Sequence, residues 1–177
     1  TASGKSAFYF VIHDTSTPYL QDAQFPNDLD SNPNVNNVQR YMRPDAVAHM
    51  FVNRAGSIAI GHDFAVPWRA TKLETKILGA ESRGRFIHVE LVQPRRRDPA
   101  GSLTNDRVSP EPGFSGLQYS RLAALYVIAS RRAGRWLVPA FHAALDAGLH
   151  DAHDDPQNFR IEDFAKSVDL LAQSGVS

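Results

Sequence analysis

The sequence predicts an α/β (α+β) fold, a single domain with a central mixed β-sheet flanked by helices. Three observations predict it. Runs of aromatic and β-branched residues, too short for helices, recur at 7–13, 46–62 and 85–92. Two longer segments, 115–134 and 160–175, carry apolar residues at helical spacing instead. The order strand, helix, hairpin, strand, helix, helix then calls for a mixed sheet with helices packed on it. At 177 residues the chain can build one full hydrophobic core and is short for two, so 1–177 is expected to be one unit.

The elements follow in order. "AFYFVIH" (7–13) is unbroken by polar residues, as a strand buried on both faces requires. "PNVNNVQRYMRP" (33–44) is a weaker helical segment, ended by Pro44 because proline disfavours helical geometry in the residue before it. "AVAHMFVNRAGSIAIGH" (46–62) reads as a hairpin about Arg54-Ala55-Gly56-Ser57. In "RFIHVELV" (85–92) the alternation puts His88, Glu90 and Val92 on one face and Ile87, Val89 and Leu91 on the other. Residues 94–116 hold four prolines and three glycines and are expected to be a long surface loop. The "PRRRD" run at its start is expected to be a solvated turn. The first long helix has Ser115 as N-cap, Leu122, Leu125, Tyr126 and Ala129 on one face, and Arg131 and Arg132 ahead of Gly134. The last has Phe164, Val168 and Leu171 on one face.

Composition narrows the function. Nineteen basic residues balance nineteen acidic ones, so the overall charge points to neither nucleic acid nor an anionic membrane, and gives no reason to expect more than a monomer. No apolar run approaches the roughly 20 residues that span a bilayer. With no cysteine there are no disulfides and no thiolate metal site, so any metal must be held by His, Asp or Glu. The opening "TASGKSAF" lacks Met, as after signal-peptide removal or trimming. An extracellular or periplasmic location is expected, and a cytoplasmic one stays open.

Chemistry-bearing residues gather in three places. His13 ends the first strand, where a rigid backbone presents a side chain to a cleft; it is either a structural histidine or a ligand. Glu90 lies inside an apolar strand, where a carboxylate is costly unless it is paired or opens on water or a cavity. The third place is "VPAFHAALDAGLHDAHDDPQNF" (138–159), with His142, His150, His153 and several aspartates; Pro156 keeps Asp155 out of a helix. This stretch is either a polar cap on the last helix or a ligand loop. A catalytic zinc takes about three such ligands and leaves a position for water. A nearby carboxylate would accept the water's proton, and a second cationic group would stabilise the oxyanion; Glu90 and His153 are of the right types.

Four segments in this order resemble the zinc-dependent N-acetylmuramoyl-L-alanine amidases, which are related to peptidoglycan recognition proteins and the phage lysozyme-type amidase. The resemblance covers roughly 7–165. "YFVIHDTSTP" resembles the family's first strand, which makes His13 a zinc ligand. "AVAHMFVNRAGSIAIGHDFAVPWRATK" resembles the hairpin and the Trp-containing stretch after it, which places His49, Trp68 and Arg69 toward the substrate. "FIHVELV" resembles the strand of the catalytic glutamate, here Glu90. "PAFHAALDAG…HDDPQNF" resembles the segment that supplies the second histidine and the final aspartate, His142 and Asp155.

The chain departs from the family at three points. His153 stands where relatives often have lysine, and Arg69 where they commonly have histidine. The interval from His142 to Asp155 is long, which leaves His150 or His153 as alternative third ligands. The resemblance implies a peptidoglycan recognition protein-like fold, a Zn2+ cofactor and a peptidoglycan or muropeptide substrate. It implies hydrolysis of the amide between N-acetylmuramic acid and L-alanine, with Glu90 and His153 catalytic. The other reading is a non-catalytic module that binds cell-wall fragments, and such a module is expected to lack a ligand.

Overall fold

The computed structural model of the chain describes residues 7–21, 23–41, 46–102 and 105–174; of residues 99, 102, 105 and 106 it describes the backbone alone. Five strands form the main sheet, in the order β3 (Ile58–Ile60), β2 (Met50–Val52), β4 (Phe86–Leu91), β1 (Tyr9–Asp14) and β7 (Val138–Phe141). β2, β4, β1 and β7 run parallel, and β3 joins antiparallel through the expected hairpin. The fold is therefore the mixed sheet with helices that the sequence predicts.

The sheet has two unlike faces because its strands alternate. Phe10 and Ile12 of β1, Ile87, Val89 and Leu91 of β4, and Met50 and Val52 of β2 form one core with the helices α1 (Gly116–Ala133) and α3 (Ile161–Gln173). Each large apolar side chain buried there stabilises the fold by about 1.5–3 kcal/mol. His13, His88 and Glu90 alternate with these residues and point to the other face. A sheet anchored by an apolar core on one side can hold polar chemistry rigidly on the other.

α1 begins as its cap predicts. Ser115 Oγ accepts from the Gln118 backbone N–H at 3.1 Å, and Gln118 Oε1 accepts from the Ser115 N–H at 3.1 Å. The buried Gln118 amide also donates to the Val52 and Val92 carbonyls, tying the helix start to the ends of β2 and β4. Gly134 closes the helix at φ 69°, in the left-handed conformation that glycine adopts without strain. In α3, Phe164, Val168 and Leu171 pack on the core.

Three sequence expectations are corrected. Residues 94–116 are not simply a loop: β5 (Arg96–Ser102) and β6 (Asn105–Val108) pair antiparallel as a separate ribbon. Pro99 and Gly101 fall where the register slips between Arg97 and Ser102, and an irregular two-stranded ribbon tolerates both. The arginine run is not all solvated, since Arg95 is only 1% exposed and binds Asp14. The helix expected at 33–44 is only a 3-10 turn, Val38–Tyr41, and Pro44 lies outside the described residues. The sequence reading also passed over a short π-helix, Leu73–Leu78, followed by a 3-10 turn, Gly79–Ser82. No described helix is long and apolar enough to cross a membrane.

One glycine packs the segment between β6 and α1 against the loop after residue 155. A Cβ on Gly113 would lie 2.5 Å from the Asn158 carbonyl oxygen and 2.9 Å from its carbonyl carbon, both backbone atoms that cannot swing aside. Gly113→Ala is expected to cost about 1–3 kcal/mol in urea unfolding by overpacking. Alanine at exposed Gly116, where nothing lies within 4 Å of the added Cβ and φ is outside the left-handed region, gives the effect of a Cβ without contact. A loss at Gly113 no larger than at Gly116 would show that the contact is tolerated.

Candidate metal centre

Parallel strands bring the site together. His13 is the register partner of Glu90, and Ile12 that of Phe141, so His13, Glu90 and His142 arrive side by side at the carboxyl ends of three adjacent strands. Open sheets of this kind bind ligands at such ends. His142 opens the one-turn helix α2 (His142–Leu145). The loop before Pro156 then returns Asp155, held by the Ala143 N–H on its carbonyl and by the Asp14 N–H on its Oδ2. Asp155 is not helical, as Pro156 leads one to expect.

His13, His142 and Asp155 are all buried and converge so that they could hold a metal ion. The two Nδ1 atoms are 3.0 Å apart. Asp155 Oδ1 lies 3.0 Å from His142 Nδ1, and Asp155 Oδ2 lies 3.6 Å from His13 Nδ1. Ligands on a tetrahedral zinc, with bonds of about 2.0–2.1 Å, stand roughly 3.3–3.4 Å from each other. The observed separations bracket that value, so the donor set fits such an ion with small adjustments. Two imidazoles and one carboxylate leave a divalent ion a net charge of about +1.

Of the alternative ligands, His150 lies elsewhere and His153 borders the cluster. His150 has a side chain 94% exposed and pairs with Asp151. His153 is about half exposed and sits at the rim, its ring stacked on His142 at 4.3 Å and its Nδ1 3.4 Å from Asp155 Oδ1.

Protonation suits binding. Burial pushes His13 down to about 4, so its imidazole is neutral at neutral pH and keeps one nitrogen lone pair for a metal. Burial acts to raise Asp155, but its contacts with His13, His142 and His153 hold it far below the usual carboxylate range. Burial acts to lower His142, yet the hydrogen bond and charge of Asp155, with Asp146 behind, raise it. Glu90 differs from all of these. It is buried, its Oε2 has no hydrogen-bond partner, and burial, then the charges of Asp155 and Asp14, raise it well above the ordinary value of 4.5. A carboxylate placed this way is poised to take a proton.

The residues assigned to substrate fare differently. His49 is corrected: it is fully buried, its Nε2 donates to the Val66 carbonyl and its Nδ1 accepts the His88 backbone N–H, both at 3.0 Å. No edge of that ring is left for a substrate. Trp68 is half-buried, donates to the Val47 carbonyl and stacks on His62 at 4.1 Å. No described hydrogen bond or ring contact joins Trp68 or Arg69 to the three-residue cluster.

Sequence reasoning missed the groups behind the cluster. His13 Nε2 meets His88 Nδ1 at 3.0 Å, His88 Nε2 lies 3.1 Å from Glu74, and His142 Nε2 lies 3.0 Å from Asp146. Signals for two of them were present: His88 shares a face with Glu90, and Asp146 is four residues beyond His142. Glu74 has none, because only the fold brings it beneath the sheet.

No protein-family model and no curated protein matches the sequence. Among solved structures, the chain aligns with the endolysin N-acetylmuramoyl-L-alanine amidase LysCS from Clostridium intestinale URNW at 12% identity and TM-score 0.49, over 99% of this chain and 88% of that one. It aligns with the N-acetylmuramoyl-L-alanine amidase LysC from the same organism at 14% identity and TM-score 0.45, over 99% and 89%. Against AmpD the identity is 16% and the TM-score 0.47, over 93% and 86%. The chemistry of the site rests on this chain's own side chains.

Proposed function

We propose that the protein is a zinc-dependent amidase that hydrolyses the bond between N-acetylmuramic acid and L-alanine of the peptidoglycan stem peptide. The observation that carries the reading is the buried His13–His142–Asp155 cluster with the unpartnered Glu90 on the strand beside it. The choice of substrate is supported by the resemblance of four ordered segments to that family. The reading takes 1–177 as one catalytic domain acting on cell wall outside the membrane, as a monomer.

His13, His142 and Asp155 would hold a zinc ion, which would supply Lewis acidity toward water and the scissile carbonyl. Glu90, raised in pKa and free of hydrogen bonds at Oε2, takes the proton of the attacking water and returns it to the leaving amine of L-alanine. His153 at the rim donates to the developing oxyanion; a well-placed donor of this kind is worth about 3 kcal/mol. Ser16, Arg95, Arg107 and His153 border an open hollow of about 370 Å³ next to the cluster, room for part of the stem peptide.

The test is direct. Protein loaded with zinc and dialysed is expected to keep about one ion per chain and to release free stem peptide from purified peptidoglycan. His142→Ala is expected to lose both properties. Zinc kept without cleavage would favour the binding-module reading, and no zinc kept would sink the metal centre.

A further inference from the structure

The sides of His13 and His142 turned away from Asp155 are occupied as fully as the sides turned toward it. Glu74 is completely buried, and its Oε2 accepts from the Ala70 N–H at 3.1 Å, the Thr71 N–H at 3.0 Å and the Thr71 hydroxyl at 2.9 Å. An ionised carboxylate only accepts, so the His88 Nε2 that faces it, 3.1 Å from Oε2 and 3.4 Å from Oε1, carries the hydrogen. The His88 nitrogen that faces His13, Nδ1, is taken as the acceptor of that contact. His13 Nε2, 3.0 Å from it, must then be the donor, and His13 Nδ1 is left with a bare lone pair. His49 does not interfere, because its Nδ1 already accepts the His88 backbone N–H.

A second arm does the same for the other histidine. Asp146 accepts from the Leu73 N–H at 2.9 Å and the Lys72 N–H at 3.2 Å, and faces His142 Nε2 at 3.0 Å. His142 thus carries a hydrogen on Nε2, and the nitrogen it turns inward, 3.0 Å from Asp155 Oδ1, is Nδ1. Both arms end on the same five residues, 70–74.

We propose that the 70–74 turn is a common brace for the metal site. Through Glu74 and His88 it sets the tautomer of His13, and through Asp146 that of His142, so that both present Nδ1 to one cation. Glu74, His88 and Asp146 are positioning residues, and the brace rests on the metal-centre reading above. Partners of this kind typically change metal affinity about 10–100-fold.

Glu74→Gln tests the relay. The Gln oxygen stays with the Ala70 and Thr71 donors, and its NH2 then faces His88 Nε2. That nitrogen becomes an acceptor, His88 Nδ1 becomes a donor, and the hydrogen on His13 moves to Nδ1, into the metal position. Imidazole 15N–1H spectra of the zinc-free protein read this directly. Wild type is expected to show Nε2–H on both His13 and His142. In Glu74→Gln, His13 is expected to shift toward Nδ1–H while His142 keeps Nε2–H, and zinc binding, measured against a competing chelator, to weaken about 10–100-fold. A merely structural role for Glu74 would lower stability and leave the His13 tautomer alone, which overturns the proposal. So does Nδ1–H on His13 in the wild type, a result that needs no variant to fold. The spectra require no turnover, so a protein that binds zinc without cutting amides would sink the amidase and not the brace.

Discussion

Replacing Glu90 with glutamine is expected to lower amide cleavage by about 10²–10⁴-fold while zinc stays bound. Glu90 is the register neighbour of His13 yet is not part of the three-residue cluster, so its loss removes a proton acceptor and no ligand. Gln is nearly the same size and fits the same space. The pH profile carries the same signature. Burial raises the Glu90 pKa well above 4.5, so the acid limb of kcat/KM is expected above the ordinary carboxylate range, with activity rising as Glu90 loses its proton. Glu90→Gln should flatten that limb.

Stability should move the opposite way. Because the folded pKa of Glu90 is raised, its own contribution to the stability of the zinc-free fold is greatest below about 4.5, the unfolded value, and is lost as pH rises toward the folded one. Gln has no charge to bury, so zinc-free Glu90→Gln is expected to unfold at higher urea than wild type at neutral pH. A variant that cleaves at the wild-type rate would remove Glu90 from the mechanism. One that is inactive only because it no longer holds zinc would make Glu90 part of the metal site instead.

How much of this was legible depends on how far each feature reaches along the chain. β1 and β4 were legible because a strand buried on both faces must be apolar nearly throughout, and "FYFVI" and "FIHVEL" are. The helix α1 was legible because its cap, apolar face and closing glycine are local. His13, His142 and Asp155 were singled out as a ligand set by the resemblance; chemistry alone said that a chain without thiols must use His, Asp or Glu, and that Pro156 keeps Asp155 out of a helix. Their convergence was not local, since it depends on β1, β4 and β7 being neighbours in one parallel sheet. Glu74 was invisible for the same reason. Its segment has no strong periodicity, and its partner His88 is fourteen residues away on a strand. His49 was misread because a histidine between apolar residues looks the same in sequence whether it faces a cleft or hydrogen-bonds into the core. The β5–β6 ribbon was missed because prolines and glycines signal loops unless an irregular pairing absorbs them.

Arg95 shows most plainly what the sequence conceals, and removing its partner is expected to give the largest loss of stability. Its side chain is almost fully buried beside the metal centre, and Nη2 donates to Asp14 Oδ1 at 3.0 Å and Oδ2 at 2.7 Å. Asp14 also accepts from the Ser16 N–H and hydroxyl and from the Gln157 N–H, so one carboxylate joins the end of β1 to the loop that carries Asp155. Asp14→Ala leaves a buried guanidinium with only Asp154 nearby, at 3.6 Å, and its Nε and Nη1 already lack partners. Stranding one half of a buried ion pair costs about 3–5 kcal/mol, where replacing both halves by apolar groups is often nearly neutral. Asp14→Ala is therefore expected to lower stability by about that amount in urea unfolding. Asp14→Ala with Arg95→Met should recover most of the loss. A double variant as unstable as Asp14→Ala would show that the carboxylate matters for the backbone N–H groups it accepts from, and that the buried arginine is not what makes its removal costly.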